Sequence, residues 1–446
     1  MGTNSAWPVP ALEDRTSQGL ARAVTAAIAD GRLPEGHRLP PVRTVAALTG
    51  LSPSTVSSAW GLLTRAGAIR TDGRRGTTVA PLRPGPARYR RALPVSPAFE
   101  LDLSTGVPDP ELLPDLVPSL AQLPRAWHAG SYLDAPVLPD LAEALRADWP
   151  YPPPALAVVD GALDGVDLVA SALVRYGDRV VVEHPSFPPL LDLLDALGAR
   201  VVGVPVDDDG LLPDALAAAL EARTRAVFLQ PRAHNPTGVA MTAARAERLA
   251  AVVAGTEAMV VEDDSAGAIS AEAAVSLGSW LPARTVHVRS FSKSHGPDLR
   301  VAGVSAPEDL LERVNERRRL GQGWTSRLLQ TLLLDALGRP AARRQVEQAR
   351  AVYAERRAAV VAGLHRRGIA TVGRDGINLW VPVRDEAAAL VQLTSRGIGA
   401  AAGTPFTTLP SPPHLRVTVG LVRDDFAGVA DALADAAVAG PWAGPR

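Results

Sequence analysis

Ser290-Phe-Ser-Lys293-Ser-His-Gly-Pro-Asp-Leu-Arg300 is the stretch on which the interpretation of this chain depends. Lysine and arginine together number 46, and Lys293 is the single lysine among them. Arginine stays protonated, whereas a desolvated lysine amine can lose its proton and attack an aldehyde. The hydroxyl of Ser290 and the guanidinium of Arg300 suit a phosphate group. The stretch therefore predicts pyridoxal phosphate (PLP) chemistry at Lys293, against the alternative that an arginine-rich composition kept one lysine by chance.

The composition indicates a folded protein. A length of 446 residues with 47% hydrophobic content allows about three domains with sizeable cores. The sequence contains no cysteine, which excludes disulfides, thiolate metal sites and thiol nucleophiles and suits a cytoplasmic protein. No apolar segment follows a basic start, and no run of about 18 uncharged apolar residues occurs. We expect a soluble chain without a signal peptide or membrane span, and the sequence indicates no metal site.

Charge is distributed unevenly along the chain. Residues 1–92 contain 13 arginines and 5 acidic residues, a net charge of +8, whereas the whole chain has a net charge of -1. The remainder is therefore acidic, with a net charge of -9. A basic module can attract a polyanion, so the N-terminal part is the candidate for nucleic-acid binding.

Three short helices are predicted in the N-terminal module. Apolar residues at four-residue spacing indicate a first helix over residues 17–30, and Gly31 follows as a stop. A second helix is predicted over residues 41–48, ending at Gly50. Ser52 then has the character of an N-cap for a third helix, because a proline follows at the first helical position and an apolar stripe comes after it.

The third helix and a basic hairpin are the candidate DNA-contacting elements. The outer face of the helix carries short hydroxyl side chains, which allow close approach to a duplex and can bond phosphates or base edges. After Gly67, residues 68–79 predict a hairpin with two arginines at its tip. Three helices and such a hairpin make a winged helix-turn-helix, and we predict that it binds double-stranded DNA through Arg43, Ser52, Ser54, Thr55, Ser57, Ser58, Arg74 and Arg75.

This module resembles the GntR family along nearly its whole length. The matching segments are Asp30-Gly-Arg-Leu-Pro-Glu-Gly36, Leu39-Pro-Pro-Val-Arg43, the helix start from Leu51 to Val56, and the Arg-Arg-Gly wing. They occur in the family's order. Pro53 stands where the family usually has an arginine, so one phosphate contact of the family is not expected here.

Residues 81–98 are predicted to be a linker between two domains. The segment contains five prolines and four arginines, a composition that favours a semi-stiff spacer over a packed core. It divides the chain into a DNA-binding domain over residues 11–80 and a larger domain over residues 99–446.

The larger domain has the pattern of an α/β fold. Short β-branched runs alternate with helical stretches rich in alanine and leucine, which is typical of a mainly parallel sheet built from βαβ units. Such sheets bind ligands at the carboxyl ends of their strands. The runs that we predict to be strands are Val180–Glu183, Val201–Val206, Ala226–Gln230, Met259–Asp263 and Thr285–Val288.

Chemically useful residues follow several of these runs. Asn235, in Asn-Pro-Thr-Gly, comes after one strand, and its amide can donate to a phenolate oxygen, although this sequence is also an ordinary turn. Adjacent acids at Asp263 and Asp264 end another strand, where a carboxylate can keep a pyridine nitrogen protonated. Phe187 could stack on a ring. Gly161 precedes a helix whose N-terminus suits a phosphate.

In their order and spacing these residues resemble the PLP-dependent aminotransferases of fold type I over roughly residues 100–440. The resemblance implies a mainly parallel sheet flanked by helices with a smaller C-terminal α+β subdomain. It makes Lys293 the catalytic lysine that forms the imine with PLP, and it places Tyr132 at the phosphate of a neighbouring subunit, which implies a homodimer. The other residues that it places around the cofactor are Asp263, Asn235, Phe187, Ser290, Ser292, Arg300, Gly161, Ala162 and Leu163. Arg416 would hold the carboxylate of a substrate or effector through a bidentate pair.

Ser265 marks a departure from the branch of this family that is fused to a GntR-like module. That branch usually has Glu-Asp-Asp-Tyr, whereas this chain has Glu262-Asp-Asp-Ser265. The missing phenol argues against efficient transamination. The pattern alone leaves open which of the two aspartates faces the cofactor ring, and we choose Asp263 because it precedes the tyrosine position by two residues.

The combination of a winged helix, a proline-rich linker and an aminotransferase-like domain resembles the MocR-type regulators. The resemblance implies a PLP-dependent transcription factor that senses an amino acid or amine through external imine formation at Lys293. The alternative is a genuine aminotransferase with an accessory DNA-binding domain, because fold does not decide function. A third interpretation is a regulator that has lost PLP, and retention of the single lysine argues against it.

Overall fold

The computed structural model describes residues 12, 14–29, 32–34, 36–65, 69–72, 76–79, 87–93, 99–126 and 130–440. These residues form two compact units. One contains the N-terminal part up to residue 87 together with residues 175–178 and 192–200, and the other contains the remainder.

The N-terminal module is a winged helix-turn-helix, as predicted. Thr55 donates its backbone N–H to the Ser52 hydroxyl at 3.1 Å, so Ser52 caps the third helix. Gly50 ends the second helix with φ 65°, a left-handed conformation that glycine adopts at little cost. The inner faces of the helices form one apolar core. The elements are α1 (Ser17–Ala29), β1 (Arg38–Leu39), α2 (Val42–Thr49), α3 (Pro53–Arg65), β2 (Ile69–Asp72) and β3 (Gly76–Val79), and the strands are ordered β1-β3-β2.

A short helix, α4 (Ala87–Ala92), lies within the predicted linker. Ala92 is buried and packs in an apolar cluster with Trp380 and Phe406. The prediction that residues 81–98 pack no core is therefore wrong for this helix. Proline-rich composition favours an extended spacer, but it does not exclude a helix that is stabilised by contact with another part of the fold.

The larger unit is built around a mixed, mainly parallel sheet, and this confirms the predicted α/β class. Strands β6, β9, β10 and β11 run parallel to one another. At one side β12 pairs antiparallel with β11, and β5 pairs antiparallel with β12 and so runs in the same direction as β11. The strand order is β5-β12-β11-β10-β9-β6-β7-β8. The strands are β5 (Ala155–Val159), β6 (Arg179–His184), β7 (Arg200–Asp207), β8 (Gly210–Leu211), β9 (Thr224–Leu229), β10 (Met259–Asp264), β11 (Thr285–Ser290) and β12 (Ala302–Ala306).

Helices flank this sheet, and they bury apolar stripes against it. In chain order they are α5 (Val117–Ala126), α6 (Pro139–Ala147), α7 (Ala162–Leu173), α8 (Pro188–Ala196), α9 (Pro213–Ala219), α10 (Ala243–Ala254), α11 (Ser292–His295), α12 (Glu308–Arg319) and α13 (Arg327–Gly338). In the described part of the chain, no helix combines the length and apolar character needed to cross a lipid bilayer.

The C-terminal part forms the smaller α+β subdomain that the resemblance implied. The long helix α14 (Pro340–Arg366) leads into it and packs against the last helix, and a three-stranded sheet is ordered β13-β16-β15. A two-stranded parallel pair joins β14 to β4 (Leu101–Asp102), the first strand of this unit. The other elements are β13 (Asn378–Pro382), α15 (Glu386–Thr394), β14 (Ile398–Gly399), β15 (Ala401–Ala402), β16 (His414–Thr418) and α16 (Phe426–Ala437).

Candidate cofactor and effector site

Lys293 lies in the first turn after strand β11, at the edge of the sheet where parallel strands present their carboxyl ends. Its amine donates to the backbone carbonyl of Ser265 at 3.1 Å. Burial lowers the pKa of Lys293, the carboxylates of Asp263 and Asp264 oppose this shift, and the charge of Arg416 adds to it. The environment therefore favours the neutral amine, which is the nucleophilic form.

Asp263 is an electrostatic neighbour of Lys293. Its carboxylate accepts hydrogen bonds from the Gln230 side chain at 2.8 Å and from the Ser265 hydroxyl. Burial raises the pKa of Asp263, while the bonds from Ser265 and Gln230 and the charge of Lys293 oppose the shift. A carboxylate in this setting needs a cationic neighbour to stay ionised, and a protonated ring nitrogen can be that neighbour.

Asp264 belongs to a different, fully buried network on the opposite face of strand β10. Arg232 binds its two oxygens at 2.9 and 2.8 Å. His287 bridges the network, with Nδ1 at 2.7 Å from Glu262 and Nε2 at 3.7 Å from Asp264. Although burial acts in the opposite direction, Arg232 and His287 hold the pKa of Asp264 far below its usual value. Alternation of side chains along the strand thus separates the roles of the two aspartates.

The network predicts a specific pH dependence of stability. Burial would lower the pKa of His287, but its bonds to Asp264 and Glu262 raise it overall. A histidine whose pKa is raised by folding stabilises the protein fully below its unfolded value of about 6.5, and this contribution is lost as pH rises through the folded value.

We therefore expect the denaturant midpoint of the wild-type protein to fall as pH rises from about 6.5 into the alkaline range. A His287→Gln variant should lack that part of the pH dependence, whereas His365→Gln, at an exposed position of α14, should retain it. Parallel midpoint curves for the wild type and the His287 variant would contradict the charged state of His287.

Strand β5 meets helix α7 at a glycine turn that contacts Arg300. Gly161 has φ 101°, and a side chain there would collide with the guanidinium of Arg300. Arg300 has φ 46° and donates to the carbonyl of Asp160 at 2.7 Å. Helix α7 begins at Ala162 on this turn, and the N-terminus of a helix suits a phosphate. Leu163 is 45% exposed on the same turn.

The two predicted serines lie across from this turn, at the end of strand β11. Ser290 is buried, and its hydroxyl accepts the backbone N–H of Ser292 at 3.2 Å. Arg300 follows them in the same segment, so the fold brings the predicted phosphate ligands of the chain to one edge of the sheet.

The predicted ring contacts line two adjoining cavities. Phe187 lines the first together with Asp263, Leu163 and Gln230. Asn235 lines the second together with Lys293, Ser265 and Asn378, among others. Gln230 lines both cavities, so the cavity that reaches Asp263 and the cavity that reaches Lys293 share a wall.

Arg416 projects from strand β16 of the small subdomain. It donates to the Thr418 hydroxyl at 2.7 Å and to the Ser104 carbonyl at 2.6 Å, and its guanidinium lies 5.6 Å from the centre of the Phe406 ring. Burial lowers the pKa of Arg416 to about 10, and the nearby Tyr89 phenol and Asp102 carboxyl oppose the shift. Among the residues that the structure describes, no carboxylate is hydrogen-bonded to Arg416, and a buried arginine of this kind is suited to an anionic ligand.

Several of the predicted cofactor and effector residues have buried polar atoms that are left for a ligand. Asn235 Oδ1, Ser292 Oγ and Arg416 Nε are buried and have no hydrogen-bond partner within the described part of the chain. Buried polar groups are rarely left unpaired, and such groups at one site indicate a ligand.

Tyr132 is not part of the cavity within its own chain. It is 91% exposed and lies 6.0 Å from the Trp324 ring, measured between ring centres. Arg327 packs over the other ring of this pair, Trp324, at 4.7 Å. The structure brings Tyr132 only to the surface, where it could reach a second subunit.

Comparison with known proteins assigns the chain to a family. The model of aminotransferase class I and II matches residues 100–433, and the model of bacterial regulatory proteins of the gntR family matches residues 16–79. The chain is 34% identical to the vitamin B6 salvage pathway transcriptional repressor PtsJ of Salmonella typhimurium, over 93% of this chain and 96% of the relative. The chain belongs to the MocR-type regulators. It is also 30% identical to the transcriptional regulator TauR of Rhodobacter capsulatus, over 80% of this chain and 81% of the relative.

Solved structures extend the likeness of this MocR-type regulator to its fold. The α-aminoadipate aminotransferase LysN of Thermus thermophilus, complexed with N-(5'-phosphopyridoxyl)-L-leucine, has a TM-score of 0.70 and 23% identity. The match covers 84% of this chain and 96% of that structure. It confirms the aminotransferase fold of the larger unit.

The predicted DNA contacts of the MocR-type regulator lie mainly on one helix face. Arg43, Ser52, Ser54, Ser57 and Ser58 are exposed. Thr55 is half-buried, and its hydroxyl and that of Ser54 each lie 2.7 Å from the Ser52 hydroxyl. Arg74 and Arg75 lie outside the described residues.

Several site residues of the regulator were missed by sequence reasoning. Gln230 positions Asp263, and Arg232 neutralises Asp264. Asn378 accepts the Thr418 hydroxyl at 2.9 Å and so continues the hydrogen bonds of Arg416. Gln230 ends a predicted strand and could have been found from its position, whereas Asn378 carries no signal beyond strand alternation.

Proposed function

We propose that the chain is a PLP-dependent transcriptional regulator whose DNA binding responds to an amino acid or amine effector at Lys293. The observation that carries the proposal is the Lys293 side chain, which lines one cavity together with Asn235 and has the Asp263 carboxylate as an electrostatic neighbour. Regulation of this kind requires the effector to bind the two DNA-binding states with different affinity.

When bound, PLP supplies an aldehyde that links reversibly to an amine. Asp263 would keep its ring nitrogen protonated, Asn235 would contact its ring oxygen, and Phe187 would stack on the ring. The phosphate would be held by Gly161, Ala162, Leu163, Ser290, Ser292 and Arg300. Arg416 would hold the carboxylate of the effector, since its Nε has no hydrogen-bond partner among the described residues.

We further propose that the regulated genes serve vitamin B6 supply. The support is the relative named as a vitamin B6 salvage pathway repressor, which matches almost the whole chain. PLP itself would then be the signal, and Lys293 would report whether the cofactor is abundant. DNA binding measured at increasing PLP concentration, with and without an added amino acid, tests which of the two molecules is the signal. A response to PLP alone indicates that PLP is the signal, and a response that needs the amino acid indicates that the amino acid is.

The alternative function is transamination. Lys293, Asp263, Asn235 and Arg416 are all retained in positions that permit it. Ser265 argues against it, because a serine that bonds Asp263 replaces the phenol that the resemblance leads us to expect. This alternative is tested by incubating the PLP-loaded protein with an amino donor and a keto-acid acceptor. Release of many molecules of the donor's keto acid per PLP site would favour an aminotransferase over a sensor.

We propose that two chains form the working unit. The adjacent residues Tyr132 and Leu133 are 91% and 94% exposed, and contiguous exposed apolar surface is typical of an interface. Tyr132 would then reach the phosphate held by the partner subunit, and two winged helices would contact paired DNA half-sites.

The DNA-binding part of the proposal is tested through salt dependence. A binding site is selected by the protein from random duplex DNA, and its affinity is measured at several salt concentrations. We expect Arg43→Gln to weaken binding and to reduce the slope of log affinity against log salt by about 0.9 for each winged helix on the DNA, the value for one lost phosphate contact, and so by about 1.8 for the proposed dimer. Arg313→Gln, on the surface helix α12, is the matched control and should leave the slope unchanged. An unchanged slope for the Arg43 variant would place Arg43 away from the DNA.

A further inference from the structure

The linker helix α4 is seated on an aromatic patch of the small subdomain. Ala92 is 2% exposed and packs against Trp380 and Phe406, whose ring centres are 5.7 Å apart. A helix of six residues is not stable alone in water, because nucleation costs more than so few hydrogen bonds return. The helical state of residues 87–92 therefore depends on this contact.

The patch is continuous with the effector end of the candidate site. Trp380 on β13 stands directly opposite Arg416 on β16, so both side chains project from the same face of the small sheet. The ring of Phe406 contacts both of them, since it lies 5.6 Å from the Arg416 guanidinium. The surface that receives α4 and the surface that presents Arg416 are one face.

Phe406 also connects this face to the cofactor end of the site. Its backbone carbonyl accepts the N–H of Ser186 at 2.8 Å. Ser186 directly precedes Phe187, and both line the same cavity as Asp263. A shift of Phe406 therefore affects both the Arg416 pocket and the loop that carries the proposed stacking aromatic.

Tyr89 is the residue of α4 that is placed to contact a ligand. It lies three residues before Ala92, so the two side chains share one face of the helix. Tyr89 is 38% exposed, and its phenol is an electrostatic neighbour of Arg416. A phenolic O–H can donate a hydrogen bond to a carboxylate that an arginine holds.

We infer that Tyr89 lines the effector pocket beside Arg416 and that docked α4 forms its outer wall, so the linker selects carboxylate-bearing amines and registers their presence. This inference rests on the proposed function. The ligand binds to the state in which α4 is docked and Tyr89 lines the pocket. When α4 is undocked, the pocket lacks its outer wall. Residue 87 begins the helix, and the DNA-binding module precedes it in the chain, so ligand binding acts on the segment that joins the two domains.

Docking is tested by hydrogen–deuterium exchange of the full-length protein without PLP. We expect the amides of residues 88–93 to exchange at least about tenfold faster in Ala92→Asp. Burial of a carboxylate against the rings of Trp380 and Phe406 is unfavourable, so the variant should lose the contact that keeps α4 docked. Arg90→Lys, at an exposed position of the same helix, should exchange as the wild type does. Equal exchange in the Ala92 variant and the wild type would overturn the docking of α4.

The role of Tyr89 is tested with two small probes on PLP-loaded protein, aminooxyacetate and O-methylhydroxylamine. Each probe replaces the carbon–nitrogen double bond to Lys293 with one to its own nitrogen and releases the lysine amine, but only the first carries a carboxylate. We expect the wild type to react faster with aminooxyacetate. The ratio of the aminooxyacetate rate to the O-methylhydroxylamine rate should fall by roughly tenfold in Tyr89→Phe, because one hydrogen bond to a charged group is lost. It should fall also in Ala92→Asp and Arg416→Gln, but not in Arg90→Lys.

The outcomes distinguish the inference from the function on which it rests. If Arg416→Gln removes the advantage and the Tyr89 and Ala92 variants retain it, the proposed function stands and the linker helix is not part of the pocket. If PLP forms no link to the chain, the proposed function fails and the effector role of Tyr89 fails with it, while the exchange experiment still reports whether α4 is docked.

Discussion

Replacing Lys293 with alanine is expected to abolish covalent attachment of PLP completely. The chain contains one lysine, and arginine cannot take its place because the guanidinium stays protonated and forms no imine. Reduction of the PLP-loaded protein with borohydride, followed by peptide mass analysis, should place the cofactor on Lys293 in the wild type. The alanine variant should carry none, and its visible spectrum should no longer respond to added amino acids.

Lys293→Arg is the matched control for this experiment. It retains a cation beside Asp263, whose pKa is raised by burial and which is therefore sensitive to loss of a neighbouring positive charge. We expect this variant to fold and to bind DNA but to attach no PLP. A covalent adduct in either variant would exclude Lys293 as the attachment point. Loss of DNA binding in both variants, with the fold intact, would show that Lys293 transmits the signal to the N-terminal module.

Much of the fold could be predicted from the sequence because its signals are local. Five β-branched runs predicted strands, and each coincides with a strand of the large sheet, except that Gln230 lies one residue beyond the end of β9. The cap at Ser52 and the stop at Gly50 defined the third and second helices within a residue. Local hydrogen bonds and hydrophobic periodicity determine such features, so a single sequence contains them.

The two adjacent aspartates show what local reasoning left open. Asp263 and Asp264 are equivalent as a sequence pattern, and their roles differ because neighbours on a strand point to opposite faces. The face is identified only by what packs there, and the partners Arg232 and His287 come from other strands or from the loop after one. The linker helix was missed for the same reason, since Ala92 is stabilised by Trp380 and Phe406, which lie 288 and 314 residues further along the chain.

The buried network around Asp264 is expected to dominate the stability of the larger unit. Arg232→Met removes the cation that binds both oxygens of a carboxylate with no exposed surface. Loss of one partner of such a pair leaves an uncompensated buried charge, which costs about 3–5 kcal/mol. We therefore expect a large drop in the denaturant midpoint. Arg367→Met, which breaks surface ion pairs to Asp431 and Asp435, should change the midpoint little.

The pH dependence of the same variant provides an independent check on the cause. Folding lowers the pKa of Asp264, so the stabilisation from its ion pair is present above the unfolded value of about 3.9 and is lost as pH falls through the lower folded value. Without Arg232, that pKa should move upward, and acid unfolding should begin at a higher pH than in the wild type. If Arg232→Met lowers the midpoint but leaves the acid transition in place, the damage comes from lost packing, and the network does not hold Asp264 ionised. Asp264 directly follows Asp263 on strand β10. Loss of Arg232, the charge partner of Asp264, should therefore also weaken PLP attachment at Lys293, and this effect would connect the stability of the network to the chemistry of the site.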